Sequence, residues 1–168
     1  SSDAGKTWTS ISGSSTSAVP APSTVLRASL SETADGKTLF AGFSNSHYAG
    51  PGELYSTSNS GTSWTNLSAG LTDALTWYEN SVAVDPANSK VLYVVGTGLW
   101  ASMDGGQTWT RVNNTIYADQ HAVVFSKDGS HLFLADDGGI FVTTQPAVAN
   151  APFSSLNPAY RVNHGIMR

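Results

Sequence analysis

The sequence contains no cysteine, few charged residues and no long apolar segment. Without cysteine there can be no disulfide, no thiolate nucleophile and no cysteine-based zinc site, so packing and hydrogen bonds must stabilise the fold. Only 12% of the residues are charged, and a formal net charge of -4 leaves no basic stripe for a phosphate backbone, so we expect no nucleic-acid partner. Because no stretch approaches the roughly 18 apolar residues of a membrane span, we also expect no membrane insertion.

Serine, threonine and aromatic residues are frequent instead, and the aromatic share is 10% of the 168 residues. This composition is common in extracellular β-proteins and unlike that of helical proteins. The first residues, Ser1 to Lys6, lack the apolar stretch of a signal peptide. The composition leads us to expect a secreted protein, extracellular or periplasmic, and if it is secreted its signal has already been removed.

An eight-residue pattern, S/T-x-D/N-x-G-x-T/S-W, occurs at residues 1–8, 57–64 and 102–109. Its copies lie roughly 50 residues apart, close to the length of a four-stranded propeller blade. Within one unit four strand signals follow in a fixed order, clearest at 81–84, 91–95, 99–102 and 108–112, with turn-forming residues between them. Short connections of this kind predict antiparallel meanders.

The repeat predicts an all-β fold, a β-propeller segment of about three to four four-stranded antiparallel blades. We expect one domain over residues 1–168, with a blade remnant at 1–12, blades at about 23–68, 78–113 and 119–157, and the start of a further blade at 158–168. Closed propellers have roughly 4 to 8 blades. We therefore expect the remainder of a propeller, or another chain, to close a larger ring.

Each position of the pattern has a structural reason. The Asp or Asn accepts hydrogen bonds from backbone N–H groups across a tight turn, and the glycine takes positive φ. The Ser or Thr hydroxyls link the strand to the turn by hydrogen bonds. The tryptophan fills the gap between the hairpin and the blade. A residue that recurs once per blade cannot form one convergent site, so we interpret the set as structural. Its members are Ser1, Asp3, Gly5, Thr7 and Trp8, then Thr57, Asn59, Gly61, Ser63 and Trp64, then Ser102, Asp104, Gly106, Thr108 and Trp109.

The pattern resembles the Asp-box, or bacterial neuraminidase repeat, of sialidases, sortilin-type receptors and xyloglucan-active endoglucanases. The resemblance implies a propeller whose boxes lie on the hairpin between the third and fourth strands, away from the central channel. Residues 117–125 and 134–141 are in addition similar to the D-x-H and D-G-G-I/V-Y segments of secreted bacterial propellers related to the xyloglucan-active enzymes. In the last unit Phe153 is expected where the other units have tryptophan.

The sequence does not favour catalysis by this chain alone. A sialidase needs a cluster of three arginines and usually an F/Y-R-I-P segment, but no such segment is present and the only arginines are Arg27, Arg111, Arg161 and Arg168. The one catalytic candidate is Asp136, whose D-D-G-G surroundings resemble those of catalytic aspartates in the xyloglucan-active family. The same four residues also form a strand-connecting turn, which is the interpretation that we favour.

Aromatic residues that precede the first strand of a predicted blade are the preferred ligand candidates. Residues 77–80 (Trp77, Tyr78, Glu79 and Asn80) lie where propeller loops reach the channel mouth. The Trp77 and Tyr78 rings suit a sugar face, although core packing of the loop is an equal alternative. Tyr48, in the longest inserted hairpin, is a candidate of the same quality. Asp119 and His121 would point the same way on a strand. They could ligate a metal, or one could act as a general base that the other orients. We favour instead a hydrogen bond that fixes a loop to the next blade.

No metal site and no cofactor are predicted. His47, His131 and His164 lie far apart in sequence, and the sequence does not show whether they converge. The sequence favours a binding or scaffold module for a glycan or a protein surface. Two alternatives stay open: part of a polysaccharide-active glycoside hydrolase, and a structural subunit of a larger extracellular assembly.

Overall fold

The computed structural model describes residues 1, 3–10, 19–20, 24–44, 51–112 and 116–157. Twelve strands form three four-stranded antiparallel sheets, each with its strands in chain order, as predicted for propeller blades. Within these ranges no helix has the length and apolarity that crossing a bilayer requires. Tyr48 and the predicted start of a further blade at 158–168 lie outside the described residues.

The strand bounds follow the turn-forming segments of the sequence. The first sheet contains β1 (Arg27–Glu32), β2 (Leu39–Ser44), β3 (Glu53–Thr57) and β4 (Thr65–Asn66). The second contains β5 (Val82–Val84), β6 (Leu92–Val95), β7 (Leu99–Ser102) and β8 (Thr110–Arg111). The third contains β9 (Gln120–Phe125), β10 (Leu132–Asp136), β11 (Gly139–Thr143) and β12 (Ser154–Ser155).

The second sheet is buried on both faces, because the first and third sheets pack against it. Alternate residues of a strand point to opposite faces. Val82, Leu92 and Val94 accordingly pack against the first sheet, whereas Ala83 and Tyr93 belong to the core shared with the third sheet. The apolar runs of the second sheet are therefore explained by burial on two sides.

The first strands of the three sheets lie side by side. β1 contacts β5, and β5 contacts β9. The Val84 backbone N–H donates to Ser31 Oγ at 3.1 Å across the first of these contacts. The starts of β1, β5 and β9 therefore lie at one end of the molecule, together with the turns that join each second strand to its third.

The repeated turn, residues 1–8, 57–64 and 102–109, has the same hydrogen bonds in each copy. In the third copy Ser102 Oγ donates to Asp104 Oδ1 at 2.8 Å and accepts from Gly106 N at 2.8 Å, and Thr108 N donates to Asp104 Oδ1 at 2.9 Å. The matching bonds join Ser1, Asp3, Gly5 and Thr7, and Thr57, Asn59, Gly61 and Ser63.

Hydrogen bonds also set the charge state of this turn. Bonds from the Thr108 side chain and backbone, and then from Ser102, lower the pKa of Asp104 to about 2. The equivalent Asp3 has a pKa of about 2 for the same reason. The carboxylates of Asp3 and Asp104 are therefore hydrogen-bonded within their own turns.

The aromatic residue of the repeat joins one sheet to the sheet before it. Trp109 Nε1 donates to the Leu67 carbonyl at 2.9 Å, across the junction of the first and second sheets. Phe153 takes the equivalent place before β12 and is 8% exposed in the core between the second and third sheets. The expectation that Trp8 is buried in this way was wrong, since Trp8 is 80% exposed. Its Nε1 turns back to the Gly5 carbonyl at 3.1 Å, and no described sheet covers it.

Candidate functional site

The loop between β4 and β5, residues 67–81, is fixed to both neighbouring hairpins. Gly52 N donates to the Ala74 carbonyl at 3.0 Å, and Leu75 N donates to the Val95 carbonyl at 2.8 Å. The backbones approach so closely that a Cβ on Gly52 would lie 2.3 Å from the Leu75 carbonyl oxygen. Because Ala74 and Leu75 are fully buried, this loop is a rigid base for the residues that follow it.

Asp73 adds a polar anchor to the same loop. Its carboxylate accepts from Trp100 Nε1 at 2.5 Å and pairs with Arg111 Nη2 at 3.1 Å. Both partners belong to the second sheet, so the carboxylate fixes the loop on that sheet. Arg111 is therefore occupied by a structural ion pair.

The rings of Trp77, Tyr78 and His121, which we call the aromatic surface, lie next to one another at the start of β5 and β9. The ring centroids of Trp77 and Tyr78 are 5.4 Å apart, and those of Tyr78 and His121 are 5.3 Å apart at an interplanar angle of 89°. Arg27, the first residue of β1, donates from Nη1 to the Tyr78 carbonyl. Tyr78 thus contacts residues of the first and third sheets while belonging to the loop that leads into the second.

The aromatic surface is open to solvent although its base is buried. Tyr78 is 52% exposed and Trp77 is 36% exposed. The next two residues, Glu79 and Asn80, are each 8% exposed. The Thr76 hydroxyl donates to Glu79 Oε2, and Glu79 N donates back to Thr76 Oγ1 at 3.0 Å. The alternative that this whole loop is core packing therefore holds for Glu79 and Asn80 but not for the two aromatic rings.

The partner of His121 differs from the one considered from sequence. His121 Nε2 lies 2.7 Å from Asp137 Oδ1, so the imidazole bonds to the β10–β11 turn and not to Asp119. Asp119 has a φ of 62° and precedes the first residue of β9, which breaks the two-residue period that the pairing assumed. Its backbone N–H donates to the Thr97 carbonyl at 3.2 Å and so joins this loop to the second sheet.

Asp136, the last residue of β10, is buried and has a raised pKa. It is 7% exposed, and its Oδ1 accepts from Gly138 N at 2.8 Å in the turn between β10 and β11. Burial raises the pKa of Asp136, against the opposing effect of backbone N–H groups of which Gly138 is the first. Its Oδ2 is buried and has no hydrogen-bond partner among the described residues.

Two contributors to this end of the molecule, Arg27 and Asp137, were not predicted as site residues. Arg27 was considered only as one of too few arginines, and Asp137 only as part of a turn. Asn80 has side-chain nitrogen and oxygen atoms that are buried and without a partner in the described part of the chain. Asp137 could have been found from the sequence by pairing the β10–β11 turn with the start of β9.

The described ranges contain no group of three or more His, Asp or Glu residues arranged to hold a metal ion. The two described arginines have separate tasks, because Arg27 contacts Tyr78 and Arg111 contacts Asp73. Arg161, Arg168, His47 and His164 lie outside the described residues.

No protein-family model matches the chain, and no curated protein matches it. Solved structures do. The GH74 enzyme of Niastella koreensis superposes with a TM-score of 0.60 at 21% identity, over 77% of this chain and 22% of that chain. The GH74 xyloglucanase from Xanthomonas campestris superposes with a TM-score of 0.59 at 15% identity, over 82% of this chain and 24% of that chain. A chain of the Nidogen/Laminin complex superposes with a TM-score of 0.56 at 14% identity, over 80% of this chain and 49% of that chain.

At these identities the likeness is one of fold. The fold is that of a β-propeller. The chain spans between 22% and 49% of the length of these three solved chains, and its three sheets are blades of a larger ring. In the propeller, β1, β5 and β9 are the adjoining first strands of three consecutive blades, so the aromatic surface lies at the end of the blades where those strands begin.

Proposed function

We propose that this propeller segment binds a polysaccharide on the aromatic surface of Trp77, Tyr78 and His121. The single observation that supports this most is the convergence of three blades on Tyr78, which holds exposed rings on a buried base. A preformed surface loses little conformational entropy when a ligand binds, and aromatic faces pack well on the C–H faces of sugar rings. Arg27, His121 and Asp137 supply polar groups beside the rings for sugar hydroxyls.

Xyloglucan is the appropriate first probe, because a GH74 xyloglucanase is among the proteins of similar fold. Native electrophoresis through gels that contain xyloglucan measures the affinity by retardation. We expect the unmodified chain to be retarded, and Trp77→Ala and Tyr78→Ala each to weaken binding by at least about tenfold, or about 1.4 kcal/mol.

Trp8→Ala is the matched control for these substitutions. It removes an indole that is 80% exposed in the first repeated turn, and so changes the exposed aromatic area without changing the aromatic surface. We expect its retardation to equal that of the unmodified chain. Equal retardation of all four proteins, or no retardation of any, would contradict the proposal.

A second candidate function, hydrolysis of the polysaccharide, is favoured by the raised pKa of Asp136. A carboxyl group with a raised pKa suits the general acid of a glycosidase. The neighbouring carboxylate, Asp137, already bonds to His121, and Oδ1 of Asp136 is held by Gly138. We therefore rank hydrolysis below binding. Release of reducing sugar from xyloglucan that is abolished by Asp136→Asn, with gel retardation unchanged, would reverse this ranking.

We further propose that the repeated turn is the Asp-box. The support is that three copies of one sequence pattern form the same set of hydrogen bonds, with the carboxylate or amide of Asp3, Asn59 and Asp104 at the centre. A secreted location is the matching proposal, extracellular or periplasmic. Antibody detection of the chain in the medium or periplasm of its source cells, and not in the cytoplasm, is the expected result.

A further inference from the structure

The loop before β9, residues 116–119, presents an exposed ring in the same way as the loop before β5. Tyr117 is 45% exposed, whereas Gln120, the first residue of β9, is 1% exposed. Gln120 Nε2 donates to the Tyr117 carbonyl, and Gln120 N donates to the Gly96 carbonyl of the second blade at 3.0 Å. Tyr117 is therefore an exposed aromatic residue on a buried base, as the two rings of the loop before β5 are.

Both loops contain a left-handed backbone conformation at a non-glycine residue. Outside the repeated turns, Leu75 and Asp119 are the only described non-glycine residues with positive φ, at 55° and 62°. A leucine in this region is an outlier because its Cβ crowds the backbone, whereas an aspartate is tolerated more readily. Surrounding contacts hold both residues, since Leu75 is fully buried and Asp119 N donates to the Thr97 carbonyl at 3.2 Å. Such backbone is concentrated at ligand-binding and active sites, so its presence in both loops favours a ligand site that includes both.

The β10–β11 turn connects the two loops. The Tyr117 side chain lies against Gly138 of this turn, so closely that a Cβ on the glycine would be 2.9 Å from Tyr117 Cβ. The preceding residue, Asp137, lies 2.7 Å from His121 Nε2 through its Oδ1, and the His121 ring is 5.3 Å from the Tyr78 ring. A row of contacts therefore leads from the aromatic surface over this turn to Tyr117.

The order of the groups in this row suits a polymer of sugars better than a single sugar. A sugar ring is similar in size to one aromatic ring, and the contacts between Tyr78 and Tyr117 run through His121 and the β10–β11 turn. Aromatic faces pack on sugar faces, and imidazole and carboxylate groups bond to hydroxyl groups. A ligand that covers both tyrosine rings therefore needs several consecutive sugar units.

We infer that a polysaccharide bound on the aromatic surface continues over the β10–β11 turn onto Tyr117, so that this segment recognises several consecutive sugar units. The inference rests on the proposed function and adds a further contact in the third blade to it. The Tyr117 ring packs on the face of one sugar, and His121 and Asp137 bond to hydroxyl groups of the units between the two loops. Gly138 leaves the space that the Tyr117 side chain occupies.

Isothermal titration calorimetry with xyloglucan oligosaccharides of increasing backbone length, from a disaccharide backbone upwards, tests the inference. For the unmodified chain we expect the dissociation constant to fall at least about tenfold from the shortest to the longest oligosaccharide. Tyr117→Ala should raise the dissociation constant of the longest at least about fivefold and leave that of the shortest unchanged. Trp77→Ala should weaken binding at every length. Tyr117→Phe keeps the ring and should bind like the unmodified chain.

Val148→Ala is the matched control, since Val148 is 47% exposed in the same blade but follows the end of β11 that is opposite to the β10–β11 turn. It should leave the dissociation constant unchanged at every length. If the unmodified chain binds no oligosaccharide, the proposed function fails and the inference fails with it. If the unmodified chain binds and Tyr117→Ala binds the longest oligosaccharide equally tightly, the inference alone is overturned. Equal weakening by Tyr117→Ala at every length, or the same loss in Tyr117→Phe, would also overturn it.

Discussion

Trp109 is the residue whose loss should best reveal the junction between the first two blades. Trp109→Ala removes a partly buried indole and its bond to the Leu67 carbonyl. If about 100 Å² of apolar surface is lost from the core, the cost at roughly 25 cal/mol per Å² is about 2.5 kcal/mol. The hydrogen bond contributes about 1 kcal/mol more. We therefore expect a loss of about 3.5 kcal/mol in the free energy of unfolding.

Urea unfolding followed by far-ultraviolet circular dichroism measures this loss without depending on tryptophan fluorescence. The midpoint should fall while the slope with urea stays unchanged. Trp8→Ala is the control, because the same substitution at an 80% exposed ring should cost less than about 0.5 kcal/mol. Equal losses for the two variants would refute the assignment of Trp109 to the blade junction.

Three further predictions concern the repeated turn and the core. The pKa of Asp104 is about 2 in the folded chain and about 3.9 in the unfolded chain. The ionised carboxylate therefore contributes its full stabilisation of the folded chain at pH values above the unfolded pKa, and this contribution is lost as the pH falls towards about 2. In Asp104→Asn the melting temperature should therefore fall less than in the unmodified chain as the pH is lowered. Gly105 has a φ of 81° and Ser60, at the same position, a φ of 57°. Gly105→Ala should therefore cost about 1 kcal/mol in urea unfolding and Ser60→Gly should gain about 0.5 kcal/mol. Tyr93→Phe should cost about 1 kcal/mol in the same assay, since its buried hydroxyl donates to the Pro146 carbonyl at 3.0 Å. A melting temperature of the unmodified chain that does not fall at acid pH would contradict the first prediction. A gain in stability for Gly105→Ala and a loss for Ser60→Gly would contradict the second, and an unchanged free energy of unfolding for Tyr93→Phe would contradict the third.

The blades could be predicted from the sequence because their signals are local. The turns that end each strand, such as Asp104 to Gly106, are written in consecutive residues, and the apolar runs between them have the length of strands. The repeat then gives the blade length directly. Burial of the second blade on both sides also explains why its runs, such as Val91 to Val95, are continuous and do not alternate.

The candidate site was predicted only in part, because it is assembled from residues that are distant in sequence. Trp77 and Tyr78 were found from their place before a first strand. The bond between His121 and Asp137 depends on the register of β9 and β10, which shifts between Ala135 and Asp136. No local pattern encodes that shift. From the sequence we considered only the nearer carboxylate of Asp119 as a partner for His121, and we favoured a hydrogen bond that fixes a loop to the next blade.

Binding of a polysaccharide on the aromatic surface can be tested directly through the five indole N–H groups of the chain. Proton–nitrogen correlation spectra of the ¹⁵N-labelled chain, recorded as xyloglucan oligosaccharide is added, resolve one side-chain signal for each tryptophan. We expect a saturable shift of the Trp77 signal, while the signals of Trp8, Trp64, Trp100 and Trp109 stay in place. A Trp77 signal that does not move, or equal shifts of all five, would contradict it.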